Sequence, residues 1–456
     1  MRIHNRNISF NGLTSLRFMF TIMSVLSASA CDEQDMAMET EATLGHPAEL
    51  SEDETAASAA AASSAPEQPP ESSVGSDDLA VPAVSNGVCS PNQGKYVASD
   101  ASLGAHALVL SEDGVVWAWG RNNRGQLGIG TTGASKNKPQ MVTGIPTRSI
   151  RIAAGENHSL ALDEYGKVWA WGEGSSGQLG NGSLSASPTP KQVPLSANVV
   201  AIAAGGAFSL ALDNLGRIWA WGANSYGQLG NGGLLNSSAP KLVTTAPGCG
   251  SFDAIAAGGE FAVALSGGQV CAWGRNNRGQ LGNASPSYRT SAAVVQGVSG
   301  ISKVTAGKEY VIASNSHPWG WGDNSAGQLG TGDGAPSWYT SPVGVGTVWT
   351  YFRHADAGAT HTIAGQGSGF SPQPPYLGLL RTTGSNGHGQ LARTAPDPSR
   401  TFGALSRIGR QISAGADFTI IIEADNVVRA AGKNNEGQLG DGTQTSATLL
   451  TNVCLP

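Results

Sequence analysis

The tripeptide Gly-Gln-Leu occurs seven times in this chain, with its glycine at positions 125, 177, 227, 279, 327, 389 and 437. Successive copies lie 52, 50, 52, 48, 62 and 48 residues apart. A period this long matches the length of one propeller blade. Seven blades close a circle of sheets without leaving a long free edge.

Each unit divides into short strands. In Val199–Gly230 the runs "VVAIAA", "FSLAL" and "IWAW" are separated by glycine-bearing turns. Alternation of apolar positions at period two is the signature of a strand, and the two tryptophans of a "WAW" fall on one face of it. Composition agrees, with 63 glycines and only 13% charged residues, as suits many short strands and tight turns. We therefore expect an all-β fold, a seven-bladed propeller of four-stranded antiparallel blades over residues 91–456.

The text that recurs around these strands is similar to the regulator of chromosome condensation repeat family. Five copies are close, among them Ala153–Gly180 ("AAGENHSLALDEYGKVWAWGEGSSGQLG") and Val116–Gly128 ("VWAWGRNNRGQLG"). Kelch repeats share the paired glycines (Gly205–Gly206, Gly258–Gly259) but have downstream Tyr and Trp spacings that are missing here. The resemblance implies that function resides in protein contact at a propeller face. In that family a secreted bacterial type caps and inhibits β-lactamases, and eukaryotic nuclear members bind chromatin and exchange nucleotide on a small GTPase. The exchange activity depends on a wedge inserted in an early blade. The early units here have none, so that activity is not expected.

Ahead of the repeats the composition changes twice. Three arginines and no acid precede or enter the apolar run Phe18–Leu26, which ends at "SASAC". Residues 1–30 read as an export signal, and Cys31 resembles the lipidated cysteine of bacterial lipoproteins, although Ala28 stands where those motifs carry leucine. Residues 31–90 are rich in Ala, Ser, Pro and acid. They hold too little apolar surface to offset the entropy of ordering, so we expect a disordered tether. From residue 79 onward there are 24 basic and 20 acidic residues, too even a balance for a nucleic-acid surface. An exported lipoprotein of the cell envelope, monomeric and attached through Cys31, is the expected setting.

Four more cysteines suit two disulfides in an exported chain. Cys89 precedes the first unit and Cys454 lies two residues from the end, so a closed ring brings them together. A Cys89–Cys454 link would stabilise the fold by roughly 4–5 kcal/mol on the loop-entropy account. Cys249 and Cys271 then pair within the fourth unit. No histidine or second cysteine at zinc spacing accompanies any of them, so no metal is expected, and no cofactor motif is present.

Candidate chemistry is sparse. His106, His158 and His361 occupy one repeated position that elsewhere holds Phe208, Phe261, Tyr310 and Phe418, which argues for packing. Acids such as Asp113, Asp163, Asp213, Asp333 and Asp441 sit near turn glycines. No catalytic residue is assigned. Binding residues are sought where the units differ. The sixth spacing carries the extra run Gly365–Leu380, preceded by an aromatic stretch with Trp338, Tyr339, Trp349, Tyr351 and Phe352. Such side chains bury large area at small entropic loss. Two identical "RNNR" turns add Arg121, Arg124, Arg275 and Arg278 as contacts for an acidic partner. Units six and seven replace the "WAW" tryptophans with Arg381, Thr383, Arg429 and Ala431.

These features favour a non-enzymatic module that binds an unknown protein. One alternative is an envelope polysaccharide lyase or hydrolase working in the central funnel, which needs ionisable groups converging on the axis. Another is an inhibitor of a secreted hydrolase.

Overall fold

The computed structural model describes residue 89 and residues 94–101, 103–315, 317–346, 352–366 and 378–456. These all belong to one compact unit, Gly75–Pro456. Every regular element among them is a β-strand.

Blade 1 consists of Tyr96–Ala101, His106–Ser111, Val116–Asn122 and Gly133–Met141, paired antiparallel in that order. Blades 2 to 5 repeat the plan over residues 149–192, 199–242, 254–294 and 303–344. The register repeats too. His106 faces Gly120, His158 faces Gly172 and Phe208 faces Gly222 across the central hairpin. Blades 6 and 7 share one strand. Ser399–Ala414 pairs through Ser399–Gly409 with blade 6 and through Gly409–Ala414 with blade 7. This 16-residue stretch therefore crosses from the outside of one blade to the inside of the next without a loop.

First strands contact one another around a closed circuit, ending where Ser399–Ala414 meets Tyr96–Ala101. Each blade is built from its own stretch of chain apart from that shared strand, so no blade mixes the two termini. The seam between blades 7 and 1 is held by other means. Cys89 is joined to Cys454 with Cα atoms 5.1 Å apart, and the Tyr96 hydroxyl donates to the Pro456 carbonyl at 2.9 Å.

The core is divided into seven apolar clusters, one between each pair of neighbouring blades. A single blade cannot bury both of its faces, so the circle must close for every cluster to form. Two connections of each blade, the one after its first strand and the Gly-Gln-Leu loop after its third, emerge on one side of the ring. We call this the Gln face.

Candidate functional site

The Gly-Gln-Leu copies turn out to be joints. All seven leucines are fully buried. Each glutamine turns its side-chain oxygen back onto the amide two residues earlier, as Gln126 does to Arg124 at 2.8 Å. Wherever the following blade keeps the second tryptophan, the glutamine's main-chain carbonyl accepts its indole N–H, and at Gln328 and Gln390 the Thr362 and Thr419 hydroxyls donate instead. Trp171, Trp221, Trp273 and Trp321 donate to Gln126, Gln178, Gln228 and Gln280 at 2.9–3.0 Å. Gly125, at φ +79, adopts backbone angles that favour glycine, and its missing Cβ leaves room for Pro188 of the next blade. The asparagine that caps this turn is Asn122, Asn224, Asn276, Asn324, Asn386 or Asn434, accepting from the leucine amide five residues on. The neighbouring Asn123, Asn277 and Asn435 accept from the glutamine side chains.

The histidines belong to the same joints. His158 Nε2 lies 2.9 Å from Ser209 Oγ of the next blade. That hydroxyl gives its only proton to the Gln178 carbonyl at 2.9 Å, so the imidazole must be the donor. His106 with Ser159, and His361 with Thr419, repeat the arrangement at 2.8 Å. Burial holds all three imidazoles neutral, lowering His106 to about 3 and His158 and His361 to about 4.

The four arginines of the "RNNR" turns form ion pairs. Arg121 reaches Glu436 of blade 7 at 3.3 Å and Arg124 reaches Glu173 of blade 2 at 3.8 Å. Arg275 pairs with Glu260 of its own blade, and Arg278 lies 3.9 Å from Glu309 of blade 5. They are compensated charges rather than two free basic turns. Two of them also cover aromatic rings: Arg275 lies 4.8 Å from the Tyr226 ring and Arg278 lies 5.5 Å from Trp338.

Two groups of candidates from distant parts of the chain thereby meet on blades 3–5. Trp338 keeps 48% of its surface exposed, whereas Tyr339 packs partly into the clusters on either side of blade 5. Phe352 is buried, with its ring 4.9 Å from that of Phe402. It fills the blade 5–6 core and is corrected from a binding residue to a packing one. Trp349, Tyr351 and Cys31 lie outside the described residues, as does residue 367–377 of the sixth-unit insertion. Beside the Arg–Trp cluster a cleft of about 160 Å³ opens at the funnel mouth, bordered by Leu103, Glu156, Glu260, Arg275, Lys308 and Glu309.

A family model for the RCC1-like domain matches residues 40–364, and one for the regulator of chromosome condensation (RCC1) repeat matches 410–438. The chain belongs to the RCC1-like family. Among relatives, the E3 ubiquitin-protein ligase HERC2 of Homo sapiens is 28% identical over 355 residues, covering 74% of this chain and 7% of that protein. Protein RCC2 of Homo sapiens is 45% identical over 94 residues, covering 20% of this chain and 18% of that one. The chain thus spans less than a fifth of either relative. Among solved structures, yeast RCC1 (Prp20) superposes with a TM-score of 0.66 at 20% identity, over 75% of this chain and 84% of that one. Human WBSCR16 gives 0.65 at 20% identity, over 75% and 95%.

Blades 6 and 7 of this RCC1-like propeller replace the tryptophans with matched sets. Arg381 donates to Gln366 at 2.6 Å and Arg429 to Glu423 at 2.8 Å. Trp169 and Trp219 donate to Asp163 and Asp213 at the equivalent places, so the donor and acceptor have changed together. Thr383 bonds the Gly327 and Ser399 carbonyls. Ala431 joins the blade 6–7 cluster. These substitutions keep the joint satisfied.

Sequence reasoning missed the hub. At the level of the first alanine of "AAG", three blades present Ala153, Ala203 and Ala256, and the other four present Thr305, Asp356, Ser413 and Asp100. The central channel therefore has an alanine side and a polar side, with His354 also in its wall. Asp356 accepts from Thr305 Oγ1 at 3.0 Å and from the Ala414 amide at 2.8 Å. Asp100 accepts from the Ala154 amide. Both carboxylates bond an amide of the following blade's first strand. Burial raises both, Asp356 to about 6, and the Asp356 charge raises Asp100 further. Aligning "ASDAS" and "HADAG" with "IAAG" is the sequence signal for these two residues.

In the outer loop of blade 3, Cys249 is bonded to Cys271 with Cα atoms 6.1 Å apart. This pins residues 244–246 along the outer edge of blade 4, where Thr245 bridges Ala292. The bond covers an edge strand that has no proline or lysine of its own.

Proposed function

We propose that this chain is a non-enzymatic binding module that engages a protein on the Gln face of blades 3–5, held at a cell envelope through Cys31. The observation that carries the reading is the exposed Trp338, stacked by Arg278, which is itself tied to Glu309. Tyr226, Arg275 and Glu260 repeat that design one blade earlier. Trp, Tyr and Arg dominate protein-binding hot spots, and side chains already held in place lose little entropy on binding. Yeast RCC1 (Prp20), a propeller of similar fold, has been solved bound to the protein Kap60. Inhibition of a secreted hydrolase would be one form of this activity.

The test is a photocrosslinking residue at 338 in full-length protein exposed to envelope extract, with the same residue at Leu215 on the opposite side as control. A discrete protein adduct is expected from 338 and none from 215. Recovery of polysaccharide without a protein adduct would overturn the reading.

The hub gives one specific reason to keep an enzyme in view, since Asp100 and Asp356 do converge on the axis. Their engagement with main-chain amides favours a structural role. Incubation with envelope polysaccharide should release no new reducing or unsaturated ends. Release that is lost in Asp356→Asn would favour the enzyme.

A further inference from the structure

At the funnel mouth each blade presents one residue directly after the "AAG" glycine or its equivalent. Blades 2 and 5 carry Glu156 and Lys308 there, and blades 3 and 4 between them carry Gly206 and Gly259. Interblade hydrogen bonds tie the four together: Glu156 N to Gly206 O at 3.2 Å, Gly206 N to Gly259 O at 2.9 Å, and Gly259 N to Lys308 O at 3.0 Å. The main chains come so close that a Cβ on Gly206 would lie 2.6 Å from the Gly259 carbonyl oxygen. One on Gly259 would lie 2.8 Å from that of Lys308. The floor between the two charges is therefore obliged to be bare.

Both charged side chains extend over that floor. Glu156 Oε2 lies 3.7 Å from the place of a Cβ on Gly206, and Lys308 Cγ lies 3.3 Å from that on Gly259. Several other charges on this face are compensated. Arg121, Arg124, Arg275, Arg278 and Lys433 each have a carboxylate partner. Among the described residues, Glu156 and Lys308 have no ion-pair partner, and two blades separate them from each other. A cleft of about 160 Å³ between them admits one or two side chains or a short run of backbone, not a folded domain.

We propose that this cleft is a zwitterionic notch that receives a protruding polypeptide segment of the partner. Glu156 takes a lysine or arginine of that segment, Lys308 takes an aspartate or glutamate, and the intervening backbone lies on Gly206 and Gly259. This rests on the Gln face being the protein-binding face and names the part of the ligand it holds.

The probe is a blocked hexapeptide, Gly-Lys-Gly-Gly-Asp-Gly, titrated calorimetrically against full-length protein at low salt. Its control has Gln and Asn in place of the charges. We expect the charged peptide to bind about tenfold more tightly. Glu156→Gln and Lys308→Gln should each remove most of that difference. Single reversals, Glu156→Lys or Lys308→Glu, should abolish it, and the double reversal should restore it, because a short peptide can enter in the opposite sense. Both residues are exposed, so an unchanged melting temperature serves as the folding control. Equal binding of charged and neutral peptides, or indifference to the single reversals, would overturn the notch. Peptide failure alongside a persisting adduct at 338 leaves the face reading intact. Peptide binding without that adduct removes the Trp338 region instead.

Discussion

The indole N–H of Trp119 donates to the main-chain carbonyl of Gln438 at 2.8 Å, across 319 residues of sequence. This is the joint that closes the ring. Blade 1 has Ala107 where blades 2 and 3 have Ser159 and Ser209, so no hydroxyl shares the carbonyl. The same holds at Gln228 and Gln280, where Ala262 and Val311 fill that position. Among the described residues Trp119 is the sole donor to the Gln438 carbonyl.

Trp119→Phe should therefore destabilise the protein more than Trp171→Phe. The first leaves the buried Gln438 carbonyl unpaired, at about 1–3 kcal/mol, whereas Gln126 retains the Ser159 hydroxyl. Denaturant midpoints of the two variants make the comparison. Equal losses would mean that the two joints are equivalent.

Ser209→Ala should cost about 1–3 kcal/mol, because the His158 N–H is left buried without an acceptor. Adding His158→Phe should recover most of that loss. The double variant then copies the neighbouring joint, where Phe208 packs with Ala262 in one cluster. A double-mutant cycle reads the coupling, and strict additivity would contradict the paired design.

Acid should weaken the fold between pH 6.5 and 4. His106, His158 and His361 stay neutral in the native state, so the unfolded chain binds protons that the native protein refuses. Their stabilisation is fully present above pH 6.5 and is lost as pH falls, by up to about 1.4 kcal/mol per unit for each. Asp356 and Asp100 act in the opposite direction, since their raised values let the native state hold protons that the unfolded chain has released. Asp356→Asn removes one opposing group. Its acid-side loss should be steeper than the parent's and its stability at pH 8 higher, as followed by thermal unfolding across pH.

Replacing both Cys89 and Cys454 by serine should lower stability by up to about 5 kcal/mol, because the link closes a loop of 365 residues. Thermal unfolding without reductant measures the loss. Peptide mapping of the parent under the same conditions should recover the two cysteines in one linked fragment.

Much of the architecture could be read from particular positions. A Phe in one blade meets an apolar residue in the next, as Phe261 does Val311 and Phe418 does Ala107. A His or Tyr meets a hydroxyl instead, as Tyr310 does Thr362 at 2.9 Å. Gly128, Gly180, Gly230 and Gly282 leave room for the next blade's tryptophan. Where that tryptophan is Ala431, the glycine is Ala392. The candidate surface was less accessible. Nothing in "RNNR" announces that Arg278 will lie on Trp338, or that its charge is answered by Glu309, because those partners are more than 30 residues away.

The number of blades, their strand order and the buried side of each strand follow from periodicity alone, since alternation and turn chemistry are local and repeat with the chain. Which charges stand uncompensated, which aromatic stays in water and which carboxylates reach the axis depended on closure of the circle. Electrostatic and packing partners are set by proximity in space, and the partners that answer each unit's own residues come from neighbouring blades distant in sequence.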